Sequence, residues 1–200
     1  MSQTTRDQML DAAKVLFSER GFYGVSIANV AGEVGLTKQA LLHHFSTKEK
    51  LYGEVLEEIS QHFELMRADV LAAGRAPEDE LQTYLLAMVS RTPEDTVRSR
   101  LLMRELLDNK RRASSAGVWY LKGFLEGLVE MVTALPAWRE ATDAEALAAV
   151  YQLLGAINYY AVSEPTLRGI FGDLRYDALD AVFTEQLGGL IQKMVAGPSQ

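Results

Sequence analysis

Residues 26–45 read SIANVAGEVGLTKQALLHHF, and this stretch decides the fold of the first part of the chain. Two short helices that cross closely need a small residue at the crossing, which Ala31 provides. Gly35 follows and supplies a turn in which a positive φ costs little. Ser26 and Thr37 are residue types that cap helix N-termini, so each can begin one of the two helices. The pattern predicts a helix-turn-helix.

The second of these helices presents a small polar and basic face. Its members are Thr37, Lys38, Gln39, Ala40, His43 and His44. Such a face can enter the major groove of DNA, where glutamine pairs with adenine, lysine with guanine or phosphate, and alanine approaches the thymine methyl group. A helical hairpin with this turn can also be purely structural, and Ser26 and Thr37 can be caps with no further role.

The continuation of the motif distinguishes these readings. Residues 43–51, HHFSTKEKL, resemble the end of the recognition helix and the start of the next helix in the TetR (tetracycline-repressor) family of transcriptional regulators. The preceding residues that fall at the spacings of that family are Gly21-Phe22, Val25-Ser26, Ile27, Val30-Ala31 and Gly35-Leu36-Thr37. The resemblance covers residues 5–55, and beyond Leu56 it is limited to a similar length and an all-helical body.

The resemblance implies particular contacts with DNA. Ser26 and Thr37 would contact phosphates from helix N-termini, and Lys48 would contact a phosphate as a point charge. His44 matches a position that contacts the DNA backbone. The residues that would face the bases are Lys38, Gln39 and His43. Where the family often has tyrosine this chain has Leu42, so a usual hydroxyl contact to DNA is missing.

The net charge of −7, from 20 basic and 27 acidic residues, at first argues against a nucleic-acid partner. Residues 1–53 alone carry six basic and five acidic residues, whereas residues 54–200 carry 14 and 22. Screening cuts off interactions between exposed charges beyond roughly 8 Å at physiological salt, so a phosphate backbone experiences the local charge. Together with the resemblance, this split predicts a DNA-binding domain over 1–53 and an effector-binding and dimerisation domain over 54–200.

Helix start and stop signals recur along the whole chain, and strand signals are almost absent. A first apolar stripe is followed by Gly21 as a helix end, and its members are Leu10, Ala13, Leu16 and Phe17. Capping boxes are predicted at Ser46–Glu49, opening a helix to about Ala73, and at Thr142–Glu145. Further helices are predicted over 115–135, over 146–162 up to Ser163-Glu164-Pro165, and over 176–196. The predicted fold is all-α with about nine helices, the first three forming the helix-turn-helix domain.

Several classes of protein and site are excluded by the residues present. The chain has no cysteine, which excludes disulfide scaffolds, thiolate zinc sites and cysteine nucleophiles. It also lacks a P-loop, GxSxG, HExxH or dinucleotide motif, so we predict neither an enzyme nor a bound cofactor. His43 and His44 are adjacent and do not share a helix face, and Glu58 with His62 lacks a third ligand, so no metal site is expected.

The apolar stretch over 146–162 is shorter than the roughly 20 residues that a membrane-spanning helix needs. It therefore indicates a helix buried in a core or in an oligomer interface. Residues 1–11 are polar and lack the apolar segment of a secretory signal, so we predict a cytoplasmic protein without a membrane partner.

The resemblance implies that the body binds a small molecule. Soft, aromatic and polar side chains suited to an apolar or aromatic ligand are Tyr84, Met88, Met103, Tyr120, Phe124, Met131, Asn158 and Tyr159. Ordinary core packing is the alternative for each of them. Asn158 is the strongest candidate, because an amide on an apolar helix needs a partner.

The resemblance also implies a homodimer. The candidate helices lie around 147–161 and 178–195, where Gly155 and Gly188-Gly189 allow close approach and form part of a four-helix interface across a two-fold axis. The apolar residues of this interface are Ala148, Val150, Leu187 and Ile191. Lys110-Arg111-Arg112 is read as a solvated basic helix end rather than a second DNA-binding patch.

These observations predict a homodimeric repressor that places two recognition helices in successive major grooves of a palindromic double-stranded operator. A small apolar or aromatic effector would release it. The alternatives are a small all-α enzyme and a helical adaptor whose helix-turn-helix does not bind DNA. The effector, the operator and the regulated genes have no signature in the sequence.

Overall fold

The computed structural model describes residues 4–89, 92–116 and 119–197, with side chains except at 108–116. All regular secondary structure in these ranges is helical, which confirms the predicted class. The helices are α1 (Thr5–Gly24), α2 (Ile27–Glu33), α3 (Lys38–Phe45), α4 (Lys48–Ala72), α5 (Pro77–Ala87), α6 (Pro93–Ala116), α7 (Lys122–Thr133), α8 (Asp143–Phe171) and α9 (Asp173–Val195). A short 3₁₀ turn, Pro136–Trp138, lies between α7 and α8.

The chain divides into two compact units. The first unit consists of Met1–Gln61 and Val97–Leu121, and the second of His62–Thr96 and Lys122–Gln200. Gly53 lies inside α4, which continues without a break to Ala72. The change in net charge at Gly53 therefore does not coincide with the division in packing.

The core of the first unit is aromatic. The Tyr52 ring of α4 meets the rings of Phe17 and Phe22 edge-on, with centroids 5.0 and 5.2 Å away. Ala13, Leu16 and Phe17 are buried as predicted, whereas Leu10 is only half-buried and Met9 is buried beside them. The predicted helix end at Gly21 is a kink with φ 68°, after which α1 continues to Gly24.

The predicted capping box at Ser46–Glu49 is wrong by one residue. Ser46 closes α3 with φ 61°, and its amide donates to Leu42 O at 2.8 Å. Because Ser46 is the C-cap of α3, the next residue, Thr47, caps α4, and its Oγ1 accepts a hydrogen bond from the Lys50 amide at 3.1 Å.

The predicted helix over 115–135 is also wrong, because α6 ends at Ala116 and α7 begins at Lys122. Between them lies Tyr120, whose ring carbon Cζ would be 2.6 Å from a Cβ on Gly53. This tight contact between the turn and α4 is tertiary, and helical periodicity along the chain carries no sign of it.

The apolar helix α8 extends beyond its predicted end and passes through Pro165 to Phe171. Proline removes one backbone donor and crowds the preceding turn. Side chains on either side bridge this position: Ser163 Oγ donates to Tyr159 O, and Arg168 Nε donates to Glu164 Oε1 at 2.9 Å. The predicted capping box at Thr142–Glu145 is confirmed.

In the second unit, α8 packs against α7 and α9, and α5 packs against α9. The Phe63 and Phe124 rings stack at 4.7 Å, and the Tyr84 hydroxyl donates to Phe63 O at 3.1 Å. The indole N–H of Trp138 donates to Met194 O at 2.8 Å and ties the 3₁₀ turn to the end of α9. Among the described helices, none is both long and apolar enough to cross a membrane.

Candidate nucleic-acid interface

Ser26 begins α2 through a reciprocal capping box. Its Oγ accepts from the Asn29 amide at 3.1 Å, and Asn29 Oδ1 accepts from the Ser26 amide at 2.9 Å. The cap was predicted, but the partnership with Asn29 was not, because the usual sequence signal is Glu or Gln at that position. The Ser26 hydroxyl also donates to Asn29 Oδ1 at 2.7 Å, so its proton is already bound.

The turn between α2 and α3 has the predicted geometry. Gly35 has φ 68°, and the next amide, that of Leu36, donates to Ala31 O at 2.8 Å. A Cβ on Gly35 would meet nothing within 4 Å, so the backbone angle alone favours glycine there. Thr37 Oγ1 then accepts from the Ala40 amide at 3.2 Å and caps α3.

The α3 helix is anchored by one face and exposed on the other. Leu41 and Phe45 are fully buried. The exposed members of the predicted DNA-contacting set on this helix and its cap are Thr37, Lys38, Gln39, His43 and His44, whereas Ala40 and Leu42 are half-buried. The helix contains no acidic residue, and an α-helix with its side chains is roughly 10 to 12 Å in diameter, which fits the major groove of DNA with its width of roughly 12 Å.

An open groove of about 450 Å³ lies beside this face. Its lining residues are Tyr23, Gly24, Val25, Ser26, Ile27, Ala28, Lys38 and Lys48. The two lysines bring positive charge to a groove whose lining has no acidic side chain. Such a groove suits a phosphate group.

Lys48 has a structural role that the sequence did not indicate. Its Nζ donates to Phe22 O at 3.0 Å and to Val25 O at 3.1 Å, and it stands 4.2 Å from the centroid of the Phe22 ring. These contacts tie the first residue of α4 to the last turn of α1 and to the connection that follows it. An ammonium group has three N–H donors, so one remains to face the groove.

Ion pairs fix α4 against α1 within the first unit. Arg6 pairs with Glu54, and Lys14 Nζ lies 2.6 Å from Glu58 Oε1 and 2.5 Å from Asp11 Oδ1. Burial lowers the pKa of Lys14, but the hydrogen bonds to Asp11 and Glu58 outweigh it, and the net shift is upward. The Lys14 side chain therefore stays charged and holds the helices that support α3.

The predicted ligand-binding residues are distributed over both units. Tyr84, Met88, Phe124 and Asn158 are buried in the second unit, and Met131 is buried there too. Burial raises the pKa of the Tyr84 hydroxyl. Met103 and Tyr120 belong to the first unit. Tyr159 is 70% exposed in the single chain, and its i,i+4 spacing places it on the α8 face that carries the exposed Tyr151 and Leu147.

The second unit contains a cavity of about 50 Å³. Its lining residues are Val89, Thr96, Ile157, Tyr160, Ala161, Glu164 and Tyr176, none of which was predicted. Ligand pockets usually measure about 300 to 1,000 Å³, so this cavity has room for water but not for an effector. The predicted basic stretch at Lys110-Arg111-Arg112 lies outside the described side chains.

The first part of the chain is similar in sequence to known transcriptional regulators. Residues 9–55 match the sequence model of the family described as bacterial regulatory proteins, tetR family. The chain is 32% identical over 93 residues to the HTH-type transcriptional regulator PksA of Bacillus subtilis, covering 46% of this chain and 45% of that protein. It is 37% identical over 51 residues to the HTH-type transcriptional repressor KstR2 of Rhodococcus jostii, covering 26% and 25%. The chain spans less than half the length of these curated relatives.

Solved structures extend the likeness in fold to nearly the whole chain. A TetR-like transcriptional regulator from Rhodococcus sp. RHA1 superposes with a TM-score of 0.69 at 20% identity, covering 99% of this chain and 100% of that one. The fatty acid degradation regulator FadR from Bacillus halodurans superposes with a TM-score of 0.66 at 18% identity, covering 96% of each chain. At these identities the likeness concerns the fold alone. Residues 9–55 match the tetR family of bacterial regulatory proteins, and the fold of the chain is similar to that of TetR-like regulators over nearly its whole length.

Proposed function

We propose that the chain is a cytoplasmic transcriptional repressor that binds a palindromic operator as a homodimer and leaves it when a small apolar or aromatic effector binds. The observation that carries this proposal is the exposed, acid-free face of α3 beside the groove that contains Lys38 and Lys48. The tetR-family match covers this same part of the chain.

Base recognition is assigned to the first turn and the far end of α3. Gln39 pairs with an adenine edge, and Lys38 contacts guanine or the neighbouring phosphate. Both side chains are exposed, as is His43 one helical turn further on. Ala40 is half-buried, so it contributes only a methyl contact to a thymine.

Phosphate binding is assigned to Thr37, His44, Lys48 and Ser26. Thr37 Oγ1 accepts from the Ala40 amide, so its proton is available to donate to a phosphate oxygen. Lys48 offers its third N–H through the groove. Ser26 is the weaker member of the set, because its hydroxyl already donates to Asn29 and would have to exchange that partner.

Dimerisation is assigned to α8 and α9. Large apolar side chains on these helices are exposed in the single chain, namely Leu147, Tyr151, Tyr159, Leu174, Leu179, Val182 and Leu190. Such a surface favours a protein partner, and a two-fold pairing would present two copies of α3 to half-sites one turn of DNA apart. Gly155 and Gly189 have nothing within 4 Å of a Cβ position, which leaves room for a partner helix.

Effector binding is assigned to the second unit. The residues that would contact the effector are buried there, namely Tyr84, Met88, Phe124 and Asn158. Release then follows from linkage: an effector that prefers a conformation with low DNA affinity weakens operator binding, and the operator weakens effector binding by the same factor.

Enrichment of genomic DNA on the immobilised protein tests the proposal against the enzyme and adaptor alternatives. We expect the wild-type protein and a Lys122→Glu variant to retain the same few fragments, because Lys122 is an exposed residue of the second unit. A Lys38→Glu variant should retain none. If the wild-type protein enriches no fragment, or if Lys38→Glu enriches the same ones, the proposal is wrong.

A further inference from the structure

A buried amide on α8 has an acceptor atom without a donor. Asn158 is 6% exposed. Its Nδ2 donates to Leu154 O at 3.0 Å, whereas its Oδ1 has no hydrogen-bond partner within the described part of the chain. Buried side-chain polar atoms nearly always have a partner, so this oxygen requires an explanation.

The unpaired group is an acceptor because the helix fixes the orientation of the amide. Leu154 O can only accept, so the NH₂ group must face it and the carbonyl oxygen must point away. The opposite orientation would place two acceptors against each other. Whatever satisfies Asn158 must therefore donate a hydrogen bond.

The surroundings of Asn158 on its own helix are apolar. Leu154 and Ile157 are buried. A leucine at position 158 would avoid the cost of an unpaired buried oxygen. The empty protein is therefore destabilised at this point relative to any state in which a donor reaches the amide.

The cavity of about 50 Å³ borders the same stretch of helix, since Ile157 and Ala161 line it. Asn158 is not among its lining residues, so a water held there does not satisfy Oδ1. Packing against this stretch of α8 is nevertheless incomplete, at the residues on either side of Asn158 in sequence.

We propose that Asn158 Oδ1 is the hydrogen-bond acceptor of the effector site, and that the effector is an apolar molecule with an O–H or N–H donor rather than a hydrocarbon, ether or ester. This inference rests on the proposed function, because it takes the body to hold an effector. The donor gives the bound state an interaction that the empty state lacks, and only such differential interactions can shift a conformational equilibrium.

Two probes of similar shape test the acceptor: 1-naphthol, which donates a hydrogen bond, and 1-methoxynaphthalene, which does not. Calorimetric titration of the full-length protein should give a dissociation constant about tenfold lower for 1-naphthol. The preference should disappear in Asn158→Leu and persist in Gln82→Leu, which replaces a half-buried amide of α5 in the same unit. Asn158→Leu should fold, because leucine has nearly the shape of asparagine and removes the unpaired oxygen.

Equal binding of the two probes by the wild-type protein would overturn the inference, as would a preference that persists in Asn158→Leu. Should that variant fail to fold, Asn158→Ser, whose hydroxyl can donate to Leu154 O and still accept a hydrogen bond, must keep the preference for 1-naphthol. Failure of both probes to bind the wild-type protein also overturns the inference. Operator retention by the same preparation then shows independently whether the DNA-binding part of the proposed function holds.

Discussion

Thr37 is the residue at which helix capping and phosphate binding can be separated. Its Oγ1 accepts from the Ala40 amide at 3.2 Å, while its hydroxyl proton is left for DNA. Aspartate is as good an N-cap as threonine, so Thr37→Asp should change the free energy of unfolding by only a few tenths of a kcal/mol. Thr37→Ala should lose about 1 kcal/mol, because the Ala40 amide loses its acceptor.

The effect of Thr37→Asp on DNA binding should be much larger. A carboxylate placed about 4 Å from a phosphate costs about 1 kcal/mol at the dielectric constant of water and about 4 kcal/mol at an effective value of 20. Operator affinity should therefore fall at least about fivefold per half-site. Fluorescence anisotropy gives the dissociation constant, and urea denaturation gives the free energy of unfolding.

Thr142→Asp is the control for DNA binding, because Thr142 Oγ1 also accepts from the amide three residues further on and caps a helix of the second unit, α8. It should leave operator affinity unchanged. If Thr37→Asp binds the operator as tightly as the wild-type protein, or if Thr142→Asp weakens binding equally, Thr37 does not face a phosphate and the placement of α3 on DNA is wrong.

Replacing Lys48 by methionine should weaken binding to every DNA sequence and lower the midpoint of urea denaturation, because two hydrogen bonds to carbonyl oxygens are lost with the charge. Gln39→Ala should instead relax the base preference without changing that midpoint. Selection of binding sites from random DNA compares the two variants. Gly53→Ala should lower the free energy of unfolding by about 1 to 3 kcal/mol, because the added methyl group overlaps the ring of Tyr120. An unchanged midpoint of urea denaturation would contradict that contact. Hydrogen bonds from Thr142 hold the pKa of Glu145 below its ordinary value. These hydrogen bonds stabilise the folded protein above the pKa that Glu145 has in the unfolded state, and the stabilisation is lost as the pH falls through its lower pKa in the folded state. The free energy of unfolding of Thr142→Ala should therefore fall less on acidification than that of the wild-type protein.

Local signals were sufficient to predict the helix-turn-helix. The caps at Ser26 and Thr37 and the turn at Gly35 depend on hydrogen bonds and backbone angles within a few residues, and the structure has all three. The local signals were insufficient where one helix follows directly on another. Ser46 was predicted to cap α4 but is the C-cap of α3, and Thr47 caps α4 instead.

Features that depend on contacts distant in sequence were not predictable. The break between α6 and α7 accompanies the contact of Tyr120 with Gly53. The Lys48 ammonium group donates to two carbonyl oxygens at and just after the end of α1, those of Phe22 and Val25. Composition selected Tyr159 as a ligand-binding residue, but the sequence did not show that its side chain is exposed in the single chain. Residue type alone does not reveal which side of a helix is covered.

The chain has no cysteine, so a single introduced cysteine can carry a DNA-cleaving iron chelate at a chosen position. His43→Cys would place the chelate on the exposed face of α3, and Gln82→Cys would place it on α5. With the labelled protein bound to a retained genomic fragment, we predict that the α3 label cuts the DNA in two clusters whose centres lie one helical turn, roughly 10 base pairs, or a multiple of it apart. The α5 label should not cut. Cleavage of the same pattern by both labels, or no cleavage by the α3 label on bound DNA, would contradict the claim that this face of α3 reads the operator.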